Sequence, residues 1–411
     1  MTSRKAALPF IFTTILLDAI GLGIIIPVFP KLVAGMTGGS VSVAAEYGGW
    51  LSFTYAIMQF VFAPILGNLS DSIGRRPVLL ISLLGLGADY VLLALAPNLA
   101  WLFVGRALAG ILGASYTTAS AYIADVSTPE NKAQNFGLIG AAFGIGFVLG
   151  PVLGGVVGQF GVHVPFWVSA GLTFTNFLYG YFIVPESLPQ ERRRSFDWKR
   201  ANPLGSLAHL RKYPMVASLI AALLLLYVSN HGLESTWTYY VMEKFHWNEA
   251  QIGYSLGTFG VMMILVQGFL IRVVMAKLGV RLAVIIGFSL RMLGNILFAF
   301  ASQGWMLYAI IIPHVLGFVA TPALQAIVSD NVPANEQGEL QGVLGSMMSV
   351  NQIMGPLLMT NAFALTTRPS AAIYFPGSPF LVAVVLVLCS LFLVERFLRT
   401  HEPVVKTAAS A

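Results

Sequence analysis

The chain has 411 residues, of which 57% are hydrophobic and only 10% charged, with a formal net charge of +6. Soluble domains carry about 25% charged residues, so this chain lacks the polar surface to coat a water-soluble globule. The basic surplus does not indicate nucleic acid either, because the basic residues follow the apolar runs.

Twelve apolar runs occur in order, over 8–33, 47–69, 78–97, 99–123, 134–159, 164–184, 213–241, 250–275, 282–301, 304–328, 338–366 and 375–398. Their lengths are near the ~20 residues a helix needs to cross a bilayer core. Leu219 to Val228 and Phe380 to Val394 are apolar all round, whereas barrel strands alternate, so helices are expected. The first run carries Asp18 in its middle, extends too far for a secretory leader and lacks a small-residue cleavage site, and it reads as the first span.

With the N-terminus inside, 18 of the 23 Lys and Arg fall in inner segments and only Lys31, Lys244 and Arg368 in outer loops. This positive-inside bias predicts a multi-pass protein of the cell inner membrane with both termini cytoplasmic. Arg192, Arg193 and Arg194 read as an orientation anchor beside anionic lipid. The single cysteine, Cys389, leaves no internal disulfide and no cysteine-rich metal site. No cofactor and no metal are expected.

The longest hydrophilic stretch divides the runs six and six. A constant offset of 205 carries Gly74 to Gly279, Arg76 to Arg281, Asp125 to Asp330, Gly137 to Gly342 and Gly150-Pro151 to Gly355-Pro356. The expected architecture is all-α, with 12 transmembrane helices in two pseudo-symmetric six-helix bundles. An N-terminal bundle (1–185) and a C-terminal bundle (213–411) flank a cytoplasmic linker (186–212). Duplication with a midplane site between the halves is how many secondary transporters are built.

Between the second and third runs lies a charged turn, Gly67-Asn-Leu-Ser-Asp71-Ser-Ile-Gly74-Arg75-Arg76-Pro77. Gly74 permits a left-handed backbone, Pro77 suits the start of a helix, and Asp71 can pair with Arg75. The fifth run carries Gly146-x-x-x-Gly150-Pro151-x-x-Gly154-Gly155, whose small residues let helices approach closely.

A charge at the bilayer centre costs roughly 2.5–3.5 kcal/mol on insertion scales, so intramembrane ions need partners or water. The candidates are Asp18, Asp89, Glu234, Arg106 and Arg291, with His231 on the same helical face as Glu234 and His314 in the tenth run. An acid in a cavity that opens alternately to two sides can carry a proton across. Asp18 and Asp89 are therefore expected to couple proton and substrate, with Arg106 tuning one of them. A Glu234–Arg291 or Asp89–Arg291 pair is expected to neutralise Arg291.

The charged turn resembles the signature loop of the major facilitator superfamily, and the fifth-run pattern resembles that of its drug/proton antiporter branch. Leu17-Asp18, Pro27-Val-Phe-Pro30, Tyr55-Ala-Ile-Met-Gln59, Ala88-Asp89-Tyr90, Gly105-Arg106, Gln267 and Pro322-Ala-Leu-Gln325 are similar to the tetracycline-efflux group. The resemblance implies a cytoplasmic latch of Asp71, Arg75 and Asp125 that loosens when the cavity opens on that side. It also implies polar site roles for Asp18, Gln59, Asp89, Arg106 and Gln267. The group usually has an aspartate where this chain has Arg291, so its substrate is expected to differ in charge preference.

The function expected is proton-coupled efflux of small amphipathic compounds by a protein acting as a monomer in the lipid bilayer. The alternative is a proton-linked or facilitated transporter of a metabolite such as a sugar or organic acid. An enzyme would need a soluble domain, a nucleophile with a base, or a motif such as Gly-x-Ser-x-Gly or His-Glu-x-x-His, and none is expected.

Overall fold

The computed structural model describes residues 2–113, 115–128, 131–198, 216–333 and 336–400. Most of the expected linker, from residue 199 to 212, lies outside the described residues, as do residues 213–215 and 401–411 of the expected C-terminal bundle.

Sixteen α-helical segments are present among the described residues: α1 (Thr2–Ile25), α2 (Phe29–Met36), α3 (Val41–Ile73), α4 (Arg75–Leu95), α5 (Leu99–Leu112), α6 (Ser115–Val126), α7 (Lys132–Gly158), α8 (Val164–Ile183), α9 (Ala217–Glu234), α10 (Trp237–Phe245), α11 (Glu249–Leu265), α12 (Ile271–Phe300), α13 (Gly304–Leu316), α14 (Ala320–Asp330), α15 (Gln337–Thr367) and α16 (Ser378–Thr400). They assemble into twelve spans.

Nine stretches among the described residues meet both the length and the hydropathy of a membrane span, and one of them, Glu249–Phe300, contains two helices that meet at Gly279. The α8 and α15 helices complete the twelve. Large apolar side chains such as Leu84, Trp101, Phe182, Phe300, Trp305 and Phe392 remain exposed on the bundle surface. Lipid is the solvent that tolerates such a surface.

Local chemistry sets the boundaries. Asn248 and Gln251 form a reciprocal capping box at the start of α11, each side chain accepting the other's amide at 3.0 Å. Gly74 (φ 114°) and Gly279 (φ 72°) occupy equivalent turns between the second and third spans of each half, in a region open to glycine but costly for other residues. The repeat read from the letters thus has a backbone counterpart.

Among the described residues three spans are broken: the first between α1 and α2, the seventh at Ser235-Thr236 between α9 and α10, and the tenth at a 3-10 turn, Gly317–Val319. A fourth irregularity is a π-helical turn, Val266–Leu270, inside the eighth span.

Packing repeats as well. The first span lies on the fifth and sixth as the seventh lies on the eleventh and twelfth, and the third meets the sixth as the ninth meets the twelfth. The halves touch through two interfaces that the repeat exchanges, α7 against α11 and α3 against α15.

Both interfaces are tight at the end remote from the termini. A Cβ on Gly155 would lie 2.5 Å from the Glu249 carbonyl oxygen, and one on Gly49 would lie 2.1 Å from Thr360 Oγ1. Lys31 of α2 forms an ion pair with Glu249 across the same end. Toward the linker end α7 comes free: Gly137, Gly140 and Gly144 have nothing within 4 Å of where a Cβ would stand. The halves therefore part on the linker side.

Candidate functional site

A cavity of about 410 Å³ lies between the halves. Its walls are mostly apolar, with Leu22, Ile26, Phe29 and Phe147 among them, and its charged members are Arg106 from one half and His231 and Glu234 from the other. The helix breaks place them there. Phe29 opens α2, while His231 and Glu234 sit in the last turn of α9, so the first and seventh spans turn their interruptions toward the central space.

In the N-terminal half, Arg106 Nη2 stands 3.4 Å from Asp89 Oδ2, with the Asp89 side chain fully buried and Arg106 15% exposed. The Arg106 guanidinium also lies over the Phe29 ring, 5.6 Å from its centroid. Gln59 donates to the Tyr55 hydroxyl at 3.1 Å. Asp18, half-buried, lies within electrostatic reach of Tyr55 and Tyr90. Five sequence candidates reduce here to one neighbourhood of four: Asp18, Gln59, Asp89 and Arg106. The fifth, Gln267, is exposed in the π-helical turn and is not among the cavity-lining residues.

The second half is different. Arg291 is completely buried, donates from Nη2 to the Asn230 side-chain oxygen, and stacks over Phe318 at 4.3 Å. Its Nε and Nη1 have no hydrogen-bond partner. Neither expected ion pair of Arg291 forms: Asp89 is taken by Arg106, and Glu234 approaches His231 Nδ1 at 3.7 Å instead. Asn230 occupies the guanidinium, and Glu234, at the helix end, points to the cavity, leaving only a longer-range attraction between Glu234 and Arg291. His314 lies near Arg291, buried behind it rather than in the cavity.

At the linker end Arg75 joins two acids, Asp71 Oδ1 at 2.5 Å and Asp125 Oδ2 at 3.1 Å. Arg76 turns away and donates to the Tyr181 carbonyl at 2.6 Å. Glu186, unmarked in the sequence reading beyond opening the linker, accepts the Arg75 amide at 2.9 Å and the Arg76 amide at 3.2 Å, capping α4 where its dipole favours an anion. Ser187 also donates to Asp125. The network expected to loosen when the cavity opens on this side is intact although the halves part here. All its members belong to the second to fourth spans and the segment after the sixth, so separating the halves does not stretch it. A Cβ on Gly67 would meet nothing within 4 Å.

The fifth-span glycines act by contact. On Gly146, Gly150 and Gly154 a Cβ would come within 2.5 Å of Ala19, 2.7 Å of Gly23 and 2.0 Å of the Ile24 carbonyl oxygen, respectively. Pro151 packs against Gly23 on one side and Gly253 on the other. His231 meets Gly355 as Gly23 meets Gly150, so the second half has an imidazole where the first has no side chain.

The expectation that Gly-x-Ser-x-Gly is absent fails on the letters, since Gly253-Tyr-Ser255-Leu-Gly257 carries it. The stretch lies within α11, not on a strand-to-helix turn. Ser255 donates to Ile252 O and accepts from Trp237 Nε1, and both glycines seat α7. It is a packing element, not a nucleophile elbow.

Two broken-helix bundles around a half-apolar, ion-bearing cavity define a membrane transporter rather than an enzyme. The family model of the Major Facilitator Superfamily matches residues 11–239 and 223–411, and the chain belongs to that family. It is 40% identical over 358 residues to the class C tetracycline resistance protein of Escherichia coli, covering 87% of this chain and 90% of that one. It is 37% identical to the class G protein of Vibrio anguillarum, over 85% and 88% of the two chains. Among solved structures it resembles a bacterial homolog of the human lysosomal transporter Spinster in an inward-facing, unoccupied conformation, with TM-score 0.74 and 13% identity over 96% of each chain. The human organic anion transporter MFSD10 matches with TM-score 0.67 and 22% identity over 95% and 99%. These last two show the fold alone.

Proposed function

We propose that this transporter exports small amphipathic compounds, tetracycline-like drugs among them, in exchange for protons. The observation that carries the reading is the Asp89–Arg106 pair, whose arginine lines an otherwise largely apolar cavity between the halves with the buried carboxylate behind it. A carboxylate so placed exchanges its arginine partner for a proton at little cost in charge separation, and the apolar walls suit a flat drug. The relatives named as tetracycline resistance proteins support the same direction of transport.

Asp18 and Asp89 carry the proton, Arg106 tunes Asp89, and Gln59 orients the Tyr55 hydroxyl toward substrate. Gln267, on the free flank of the eighth span, is met only on the way through. Asp71, Arg75 and Asp125 brace the gate loop, while Gly146, Gly150, Pro151 and Gly154 give the fifth span a close seat on which to rock. The bundles run over 1–185 and 213–411, joined by 186–212, and the protein works as a monomer in the inner membrane with both termini cytoplasmic. In that orientation the structure faces inward.

The test is drug accumulation in cells expressing the chain. Accumulation of tetracycline or another amphipathic drug falls, and a protonophore or Asp89→Asn restores it. Accumulation unchanged for every drug, with uptake of a sugar or organic acid instead, refutes the reading.

A further inference from the structure

We propose that the His231–Glu234 pair at the end of α9 is a second exchange site, where a proton on His231 and a cationic group of the substrate compete for the Glu234 carboxylate. The inference deepens the efflux reading and rests on it. It assigns the cation-recognising role to the C-terminal half.

Glu234 is 47% exposed at its side chain and shares the lining of the cavity with apolar residues such as Ile25 and Pro356. A half-open carboxylate in such walls binds a cation more strongly than one on a wet surface. Its partner His231 is 3% exposed, with Nδ1 shared between Glu234 at 3.7 Å and Ser235 Oγ at 2.9 Å. His231 Nε2 is buried without any hydrogen-bond partner, and Gly355 closes on the ring so that it cannot swing aside. The ring sits in the last turn of α9.

Two other charged groups face Glu234. Arg291 of α12 attracts it from behind Asn230, and Arg106 of α5 lies on the opposite wall, already engaged by Asp89. Tyr55 and Tyr239 complete the titratable lining, and α15 adds only Gln352 and Pro356.

The exchange balances. With His231 protonated, the pair carries no net charge. When an ammonium or phosphonium group arrives at Glu234, the imidazolium proton leaves to water and the site is again neutral. No covalent bond of the substrate changes.

The test uses purified full-length protein in lipid nanodiscs, with tetraphenylphosphonium as the probe, over roughly pH 5.5 to 8, where an imidazole titrates. Wild type is expected to bind the probe more tightly as pH rises and to release protons on binding. Glu234→Gln weakens binding about tenfold, the loss of one partly desolvated ion pair, and Glu234→Asp recovers most of it. His231→Gln flattens the pH dependence and lowers proton release by close to one per probe. Thermal melts of each variant report folding. Glu234→Gln binding as tightly as wild type, or His231→Gln releasing as many protons, overturns the proposal. Wild-type protein that exchanges protons for a neutral drug yet ignores tetraphenylphosphonium overturns this inference alone. Wild type that responds to no drug overturns the efflux reading with it.

Discussion

Replacing Gly140 of α7 by leucine separates a closing surface from a lipid-facing one. At 100° per residue, Gly137, Gly140 and Gly144 share the helical face of Gly155 and Gly158, and those two pack on Glu249 at the start of α11. The same face is seated against the other half at one end and empty at the other, as expected of a surface that closes when the bundles rock. In the present conformation a Cβ at 140 meets nothing within 4 Å, and leaving glycine in a helix gains up to about 1 kcal/mol. In the closed conformation the added side chain overpacks the interface at about 1–3 kcal/mol. The helix-propensity gain is common to both conformations, so the overpacking alone moves the equilibrium toward the open form, by about 1–3 kcal/mol, roughly thirtyfold at the centre of that range. Transport in vesicles should fall steeply while the melting temperature in nanodiscs stays or rises. Gly154→Ala, on the other face, places a Cβ 2.0 Å from the Ile24 carbonyl oxygen and should lower the melting temperature. Wild-type transport by Gly140→Leu would refute the closing-surface reasoning.

Three further outcomes are expected. Arg106→Gln strands a buried carboxylate and should destabilise by about 3 kcal/mol, whereas Asp89→Asn combined with Arg106→Gln should lose much less than the sum; thermal melts of the four proteins measure the coupling, and additive losses would count against the pair. Glu186→Gln removes the anion that caps α4 and should cost about 1 kcal/mol, visible as a small drop in melting temperature that an intact value would contradict. Arg291→Met replaces a buried guanidinium with two unpartnered nitrogens and should leave the melting temperature unchanged or raised, while a large drop would mean that Arg291 is held by more than Asn230 and Phe318.

The twelve spans were legible because lipid demands long apolar runs, and the duplication because equivalent turns demand the same glycine at 74 and 279. Composition could not reveal the helix breaks: only Pro27 marks the first, and the seventh breaks at Ser235-Thr236, residues equally at home in a helix facing a cavity. The charged turn announced Arg75 and Asp71 by their spacing, yet Glu186 lies 111 residues from the amide it caps, beyond any local pattern. Asp89 and Arg106 were visible as isolated intramembrane charges, and their pairing follows from the packing of α4 on α5. Arg291 was paired wrongly because charge alone suggested a carboxylate, whereas the fold supplies an amide next to it and a ring beneath it.

Exchange of a drug for protons through the cavity between the halves is read out by proton movement in inside-out vesicles. Vesicles carrying the chain are energised to an acid interior and read with a pH-sensitive dye while tetracycline and other amphipathic drugs are added singly. Such exchange gives proton efflux evoked by at least one drug and abolished by Asp89→Asn. Proton efflux evoked equally in vesicles carrying Asp89→Asn, or evoked by no drug at all, would contradict it.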